Sequence, residues 1–299
     1  MDNDDETYIL LLLADSNLPT GSFVASAGLE SYITHGFLSK NSTIIDFVRD
    51  SLATYAHTAL PFVSDAHSVI STYADAKGDD NIDDVVRNLV TLDDLYEAMT
   101  LNHVARRASK AQGIALLTLY ARGFSRPPSL SQGVEEEIRT QEARLSKLLD
   151  KYKLLIRREE APGHLPICWG VLTGALELTL GQPSPVFLVH HKYIIISFFL
   201  PHLSERSQYL HLFLHARSLL SASVRLNDIG PYGAQQLLLH AVRPLVAAEA
   251  LKCRDLRTGE LPGDKENFDQ TTNGPASTWP LGEIIAARHD LQHSRIFNS

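Results

Sequence analysis

Residues 145–156, LSKLLDKYKLLI, carry the clearest structural signal in this chain of 299 residues. The apolar side chains recur at steps of three and four residues, which places them on one face of an α-helix with the charged side chains on the other. Residues 44–55 and 210–220 repeat this style. The sequence therefore predicts an all-α fold, a single-domain helical bundle of about nine or ten helices with a flexible C-terminal tail.

Composition excludes several classes of partner. The formal net charge is −8 and no stretch is strongly basic, whereas nucleic acids and anionic membranes attract clustered lysines and arginines. We therefore expect no nucleic-acid partner and no membrane partner. Cys168 and Cys253 lie far apart outside any CxxC pattern, which suits a reducing compartment. The acidic start, MDNDDETY, lacks the basic residues of a signal peptide, so the expected location is cytoplasmic.

The chain divides into one domain and a terminal extension. Residues 1–257 are predicted to form the helical domain. Residues 258–280 are polar and contain several glycines and prolines, which predicts a flexible linker, and residues 281–299 follow as a tail. Residues 186–199, VFLVHHKYIIISFF, are rich in β-branched and aromatic residues. No second strand candidate accompanies them, so we interpret this run as a buried helix.

An aspartate-rich run from Asp79 to Asp84, DDNIDD, is compatible with a metal-dependent enzyme. Carboxylates are the oxygen ligands that magnesium prefers, so the run could hold magnesium for diphosphate chemistry on a helical scaffold. The alternative is a solvated acidic loop or helix start, where aspartate suits the helix dipole. Gly78 favours that alternative, and no opposing acidic cluster is apparent.

His211 and His215 are the candidate metal ligands. They lie four residues apart in a helical stretch, so they share one face and could grip a transition metal as a nickel chaperone would. Half-buried histidines with no metal explain the same spacing. The chain has no phosphate loop, GxGxxG, HExxH or GxSxG pattern, so we expect no enzyme and no tightly bound cofactor.

Three further segments carry more specific patterns, and the first is LADSNLPTGSFVASAGLE, which ends at Glu30. Pro19 and Gly21 can end one helix and turn the chain. Ser26 can cap the next helix, and Gly28 lets another backbone approach closely. Glu30 then lies near the positive end of that helix.

The second segment is SVRLNDIGPYGAQQLL, residues 223–238. It predicts a helix end, a Gly-Pro turn and a new helix, because proline fits the first helical turn. Arg225, Leu226, Gly230 and Gln235 are its candidate binding residues. A purely structural corner between two helices explains the glycines equally well.

The third segment is the C-terminal RHDLQHSRIFNS, residues 288–299. Arginine and aromatic side chains are favoured anchors in protein interfaces, and a tail on a linker of about twenty residues can reach beyond its attachment point. We therefore expect a tail that orders on a partner. Docking of the tail on its own body is the alternative.

Together the three segments resemble the UreF family of urease accessory proteins. That family has a segment like LASxxLPxGxFxxSxGLE, a middle pattern like A-x-[KR]-L-x-x-x-G-x-x-x-x-Q-x-L-L, and a tail like RHExQYSRLFRS. This chain departs from the tail pattern at Asp290, His293 and Asn298. Residues 122–163 look longer than in bacterial members, which indicates a eukaryotic, fungal or plant, member.

The resemblance implies an all-helical homodimer without catalytic residues. It implies binding to the accessory protein UreD, also called UreH, recruitment of the GTPase UreG, and delivery of nickel to apo-urease. The family member is a scaffold and checkpoint on the GTPase, and nickel passes transiently. The implied partner-binding residues are Arg225, Leu226, Gly230, Gln235, Arg288, His289, Asp290, Gln292, His293, Ser294, Arg295 and Phe297.

Overall fold

The structure is a computed structural model that describes residues 3–15, 18, 25–38, 43–76, 82–178, 206–261 and 268–298. Regular structure in these ranges is helical and contains no strand, so the all-α prediction is confirmed. The α-helices are α1 (Asn3–Leu13), α2 (Leu29–Thr34), α3 (Ile44–Asp75), α4 (Ile82–Met99), α5 (His103–Leu119), α6 (Glu136–Arg157), α7 (Leu165–Ala175), α8 (Arg206–Arg225), α9 (Pro231–Leu237), α10 (Arg243–Cys253), α11 (Gln270–Asn273) and α12 (Pro280–Ala287). A π-helical turn, Leu238–Val242, joins α9 to α10, and a 3₁₀ turn, Arg288–Leu291, extends α12.

Helix α3 is the spine of the fold. Its start is fixed by a capping box, in which the Asp46 carboxylate accepts from the Thr43 backbone N–H at 3.0 Å and from the Thr43 hydroxyl at 2.8 Å. With 32 residues it is about 48 Å long, so it can contribute side chains to two separate hydrophobic clusters. The cluster on its C-terminal half contains most of α4 to α7, and the cluster on its N-terminal half contains α2, α8, α9 and α10.

The tightest helix pair is α3 with α7, and a glycine makes it possible. A Cβ atom added at Gly170 would lie 2.5 Å from the Val63 carbonyl oxygen, closer than any side chain tolerates. Gly174, one turn later, faces the Ile70 side chain in the same way. The absence of side chains at these two positions therefore sets the distance between the two helices.

The predicted extension, residues 122–163, contains α6. Leu148 and Tyr152 on this helix are fully buried in the core cluster of α3 to α7, and Arg144 stacks over the Tyr73 ring at 4.8 Å. The segment is therefore part of the helical body.

The described part of the predicted linker lies against α3. Asp65 accepts from the Thr258 backbone N–H at 2.8 Å and from its hydroxyl at 2.6 Å. The Thr278 N–H donates to Thr54 Oγ1 at 2.9 Å, and residues 270–273 form α11. The structure thus differs here from the tether that the composition predicts, because α3 supplies acceptors for the backbone of this segment.

Several sequence predictions fall outside the described residues. They are the buried helix at residues 186–199, the turn residues Pro19 and Gly21, and the acidic residues Asp79 and Asp80. Among the described helices, none combines the length and the apolar character needed to cross a bilayer.

Candidate partner-binding surface

Helix α2 forms the platform on which the end of the chain rests. Gly28 precedes it with φ +87°, and a Cβ there would lie 2.7 Å from the Ala286 Cβ, so glycine permits both the turn and the contact with α12. The Ser31 hydroxyl donates to the Ile285 carbonyl at 2.7 Å. Ser26 is fully buried and its side chain does not cap α2. The first motif therefore builds a contact with the C-terminal segment.

Glu30 holds the tail, residues 288–298, on this platform. The residue is 5% exposed, and its two carboxylate oxygens accept from the backbone N–H groups of Ile296 at 2.6 Å and Phe297 at 3.1 Å. His289 is fully buried beside it, with Nδ1 3.8 Å from the Glu30 carboxylate and Nε2 3.1 Å from the Phe297 carbonyl. Hydrogen bonds to a buried carboxylate are among the strong ones, so Glu30 is the main polar anchor of the tail.

The second motif meets the tail at Phe297. The Phe297 ring is 3% exposed within the cluster of α2, α8, α9 and α10, and the Arg225 guanidinium lies 5.4 Å from its centroid. Leu226 packs against the same cluster, whereas Gly230 and Gln235 are exposed. Two segments that the sequence singled out separately are thus parts of one surface.

The outer side of the tail is charged. Arg107 on α5 donates to both carboxylate oxygens of Asp290 at 2.9 and 3.0 Å and to the Asn298 carbonyl at 3.0 Å. Arg295 and His103 lie 2.7 and 3.3 Å from the same carboxylate. The hydrogen bond from Arg107 holds the pKa of Asp290 at about 2, so this carboxylate is ionised throughout the neutral range.

Most of the remaining tail residues are exposed. The Arg288 Nε donates to the His35 Nε2 at 3.0 Å, and His293 and Ser294 are exposed. Gln292 is half-buried, and neither side-chain nitrogen nor oxygen has a hydrogen-bond partner among the described residues. Three large apolar side chains of α12 and the tail, Ile284, Leu291 and Ile296, are more than 60% exposed.

Sequence reasoning missed Arg107 and His103 as members of this surface. They lie on α5, more than 180 residues before the carboxylate that they contact, and neither stands in a motif. The first motif predicts only a structural role for Glu30. No local pattern indicated that its carboxylate would bind the far end of the chain.

His211, which is buried, and His215, which is half-buried, stack on the Tyr55 ring. The His215 and Tyr55 rings are 4.0 Å apart at their centroids, with the His215 Nε2 3.1 Å from the Ser51 hydroxyl and the His211 Nε2 2.9 Å from the Tyr55 hydroxyl. Burial lowers the pKa of His211 to about 3 and that of His215 to about 4, so both rings are neutral. Among the described residues, no Cys, Asp or Glu comes near enough to serve as a third ligand.

The described part of the acidic run is engaged at the start of α4. Asp83 pairs with Lys151, and Asp84 accepts from Arg87 at 2.6 Å, with both carboxylates largely exposed. The neighbouring Asp93 is fully buried and accepts from the Tyr152 hydroxyl and from two backbone N–H groups of the α6–α7 connection. Burial nevertheless raises the pKa of Asp93 to about 6. This carboxylate links α4 to the α6–α7 connection by hydrogen bonds, and its burial makes it inaccessible to a diphosphate.

Comparisons with known proteins give consistent matches. A sequence model of the UreF family matches residues 38–189 and 203–242. Urease accessory protein 6 of Cryptococcus neoformans var. grubii is 41% identical to this chain over 98% of the chain and 97% of that protein. The uncharacterized urease accessory protein UreF-like of Schizosaccharomyces pombe is 28% identical over 100% and 99%. Urease accessory protein F of Arabidopsis thaliana is 26% identical over 96% of this chain and 90% of that protein.

Proposed function

This chain belongs to the UreF family of urease accessory proteins, and on that premise we propose that it serves urease maturation as a non-catalytic scaffold. The resemblance seen in the three motifs is thereby confirmed. In our proposal a cytoplasmic homodimer binds a UreD/UreH-type protein and the GTPase UreG, and acts as a checkpoint on that GTPase. The complex delivers nickel to apo-urease, and nickel passes transiently without a tightly bound cofactor.

The observation that carries the proposal is the composition of the C-terminal surface, defined as Ile284, Arg288, Leu291, Arg295 and Ile296 with the Asp290 ion pairs. Its three apolar side chains are each more than 60% exposed, and arginines lie between them in the sequence. Exposed apolar residues with arginine neighbours are typical of protein-binding surfaces. A partner that buries them would gain both hydrophobic contact and charged hydrogen bonds.

The buried side of the tail supports the same function. Glu30, His289 and Phe297 hold the tail in one conformation, so the exposed side chains are ordered before a partner arrives. Ordering a segment on binding costs conformational entropy, and a docked tail has already lost it. The tail is therefore proposed to bind as a prearranged surface, which replaces the disordered tail that the sequence alone favours.

The magnesium–diphosphate alternative makes an opposite prediction for the acidic run. Its described members are exposed and paired with Lys151 and Arg87, which is the arrangement of a solvated helix start. Changing Asp79, Asp80, Asp83 and Asp84 to Asn together should leave urease activation unchanged in a strain that lacks the native gene. Loss of activation with normal protein abundance would favour the enzyme instead.

The proposal is tested by co-purification with matched surface variants. A variant with Ile284→Ser, Leu291→Ser and Ile296→Ser removes the exposed apolar side chains without touching the buried anchors. Leu130→Ser with Leu154→Ser is the control, because these leucines are also exposed but belong to other parts of the chain.

The triple variant should lose most of the UreD/UreH-type protein and, with it, the GTPase, whereas the control should retain both. Equal recovery from the two variants would refute the assigned surface. Deletion of residues 288–299 should abolish recovery, and light scattering of the free protein should give the mass of a dimer.

A further inference from the structure

Three different metal-ligating side chains meet between α3 and α10. His57 lies in the middle of α3, and Glu249 and Cys253 lie one turn apart on the face of α10 that packs against it. The His57 Nδ1 is 3.5 Å from the Cys253 Sγ and 3.9 Å from the Glu249 Oε2, and the three ligand atoms all lie within 4.8 Å of one another. The cluster is separate from the C-terminal surface and from the stacked histidines of α8.

The cluster is partly shielded from water, and one oxygen of its carboxylate has no hydrogen-bond donor among the described residues. The side chains of His57 and Glu249 are 17% and 19% exposed, and Cys253 is fully buried. The Glu249 Oε2 is buried and accepts no hydrogen bond from any described residue, and the nearest ammonium, that of Lys252, is 3.7 Å away. A buried acceptor without a donor destabilises the protein, so the carboxylate favours a cation at this place.

The cluster has nearly the dimensions of a tetrahedral metal site. With usual bond lengths for zinc, the nitrogen and sulfur ligands stand about 3.5 Å apart, and the nitrogen and oxygen ligands about 3.4 Å. The observed nitrogen–sulfur and nitrogen–oxygen separations are 3.5 and 3.9 Å, and all three ligand atoms lie within 4.8 Å of one another. A shift of the Glu249 side chain by about half an ångström or more toward the other two ligands therefore closes the site. Thiolate, imidazole and carboxylate together suit a divalent ion of borderline softness.

We infer that His57, Glu249 and Cys253 form a binding site for one divalent transition metal ion, of the class that contains Zn²⁺ and Ni²⁺, with water as the remaining ligand. Binding releases the thiol proton of Cys253 as the metal–sulfur bond forms. The His57 Nδ1 contacts the Ala53 carbonyl at 2.8 Å, as a donor does. This proton moves to Nε2 when Nδ1 takes the metal, so one proton per ion is released to solvent.

The site lies where the chain turns back toward the tail. The Ala276 N–H donates to the His57 carbonyl at 3.3 Å, and the Thr278 and Trp279 N–H groups contact the Thr54 hydroxyl one turn earlier on α3. A bound ion would therefore tie α10 to α3 under the segment that leads into α12. This inference depends on ligand chemistry alone and stands whether or not the proposed scaffold function holds.

The test uses the full chain, freed of metal by chelation and dialysis, and titrated separately with NiCl₂ and ZnCl₂ by isothermal calorimetry at pH 7.5. One ion per chain should bind with submillimolar or tighter affinity. The nickel complex should show a near-ultraviolet thiolate-to-metal charge-transfer band. Cys253→Ser and Glu249→Gln, which keep the side-chain shape, should weaken binding at least tenfold, and Cys253→Ser should abolish the band.

Cys168→Ser is the matched control, because Cys168 is the other fully buried cysteine and lies outside the cluster. It should keep both the affinity and the band, and circular dichroism should show that all variants are folded. A wild-type chain that binds neither ion would overturn the inference. So would binding that persists undiminished in Cys253→Ser, since the ion would then be held by other residues.

Discussion

Replacing Glu30 with glutamine tests the contact that holds the tail on the body. Both carboxylate oxygens accept backbone N–H groups, from Ile296 and Phe297, in a site that is 5% exposed. Glutamine keeps one acceptor but turns an N–H donor toward the other backbone N–H. The variant therefore leaves one buried donor without an acceptor, which costs about 1–3 kcal/mol.

A cost of about 2 kcal/mol raises the population of the undocked tail roughly 30-fold, because each 1.4 kcal/mol is about a factor of ten. Hydrogen–deuterium exchange followed by mass spectrometry measures this opening in the peptide that contains the tail. The control is Asp290→Asn, which removes only ion pairs on the outer side of the tail. Asparagine keeps an acceptor for Arg107 and loses only the charge, and exposed ion pairs contribute about 1 kcal/mol or less each, so exchange should rise less than in Glu30→Gln.

The result that would refute this reasoning is an exchange rate for Glu30→Gln no higher than that for Asp290→Asn. The tail would then be held by Phe297 burial alone. Circular dichroism should remain that of the wild type in both variants, since neither side chain supports the core of α3 to α7.

Two further predictions concern stability. His164, the fully buried residue before α7, and His211 on α8 are neutral in the folded protein because burial lowers their pKa to about 4 and about 3. Unfolding therefore takes up protons below pH 6.5. Urea denaturation should show the free energy of unfolding falling as the pH drops from 6.5 toward 4. Asp93 partly offsets this fall below pH 6, because its raised pKa makes the folded state bind a proton there before the unfolded state does. A profile that is flat over this range would contradict these assignments. Gly170→Ala should destabilise the protein by about 1–3 kcal/mol, because the added methyl group overpacks the contact with α3. Gly233→Ala in α9 is the control and should be neutral or stabilising, because no atom lies near its Cβ position. Equal changes in the free energy of unfolding for the two variants would contradict the packing account.

The sequence predicted the helices well because their signal is local. The apolar period of residues 44–55 and 145–156 appears as the buried faces of α3 and α6. Gly170 and Gly174 stand one turn apart in the sequence, a spacing that puts both on the face of α7 that packs against α3. These features depend on neighbours within one helix, so they can be read without knowing the fold.

The position of the tail could not be derived in this way. Glu30 and Phe297 are separated by 267 residues, and nothing at either position specifies the other. An aromatic residue among arginines can dock on a partner or on the chain's own body, so the sequence pattern does not distinguish these two positions of the tail. The linker prediction has the same weakness, because Asp65 and Thr54 on α3 accept from a backbone whose composition alone favours disorder.

The cluster of His57, Glu249 and Cys253 illustrates a third kind of gap. Glu249 and Cys253 share a helix face, but a pair at this spacing is common without a metal. The third ligand lies 196 residues from Cys253 and becomes apparent only when α3 and α10 are packed. The spacing of His211 and His215 looked more like a metal site, yet their environment is aromatic.

The most direct test of the central claim is hydrogen exchange of this chain alone and mixed with the proposed UreD/UreH-type partner. If the C-terminal surface binds the partner, the largest gain in protection should fall on residues 280–298, with α5 near Arg107 as the next most protected region. Protection that leaves residues 280–298 unchanged and falls elsewhere would contradict the account.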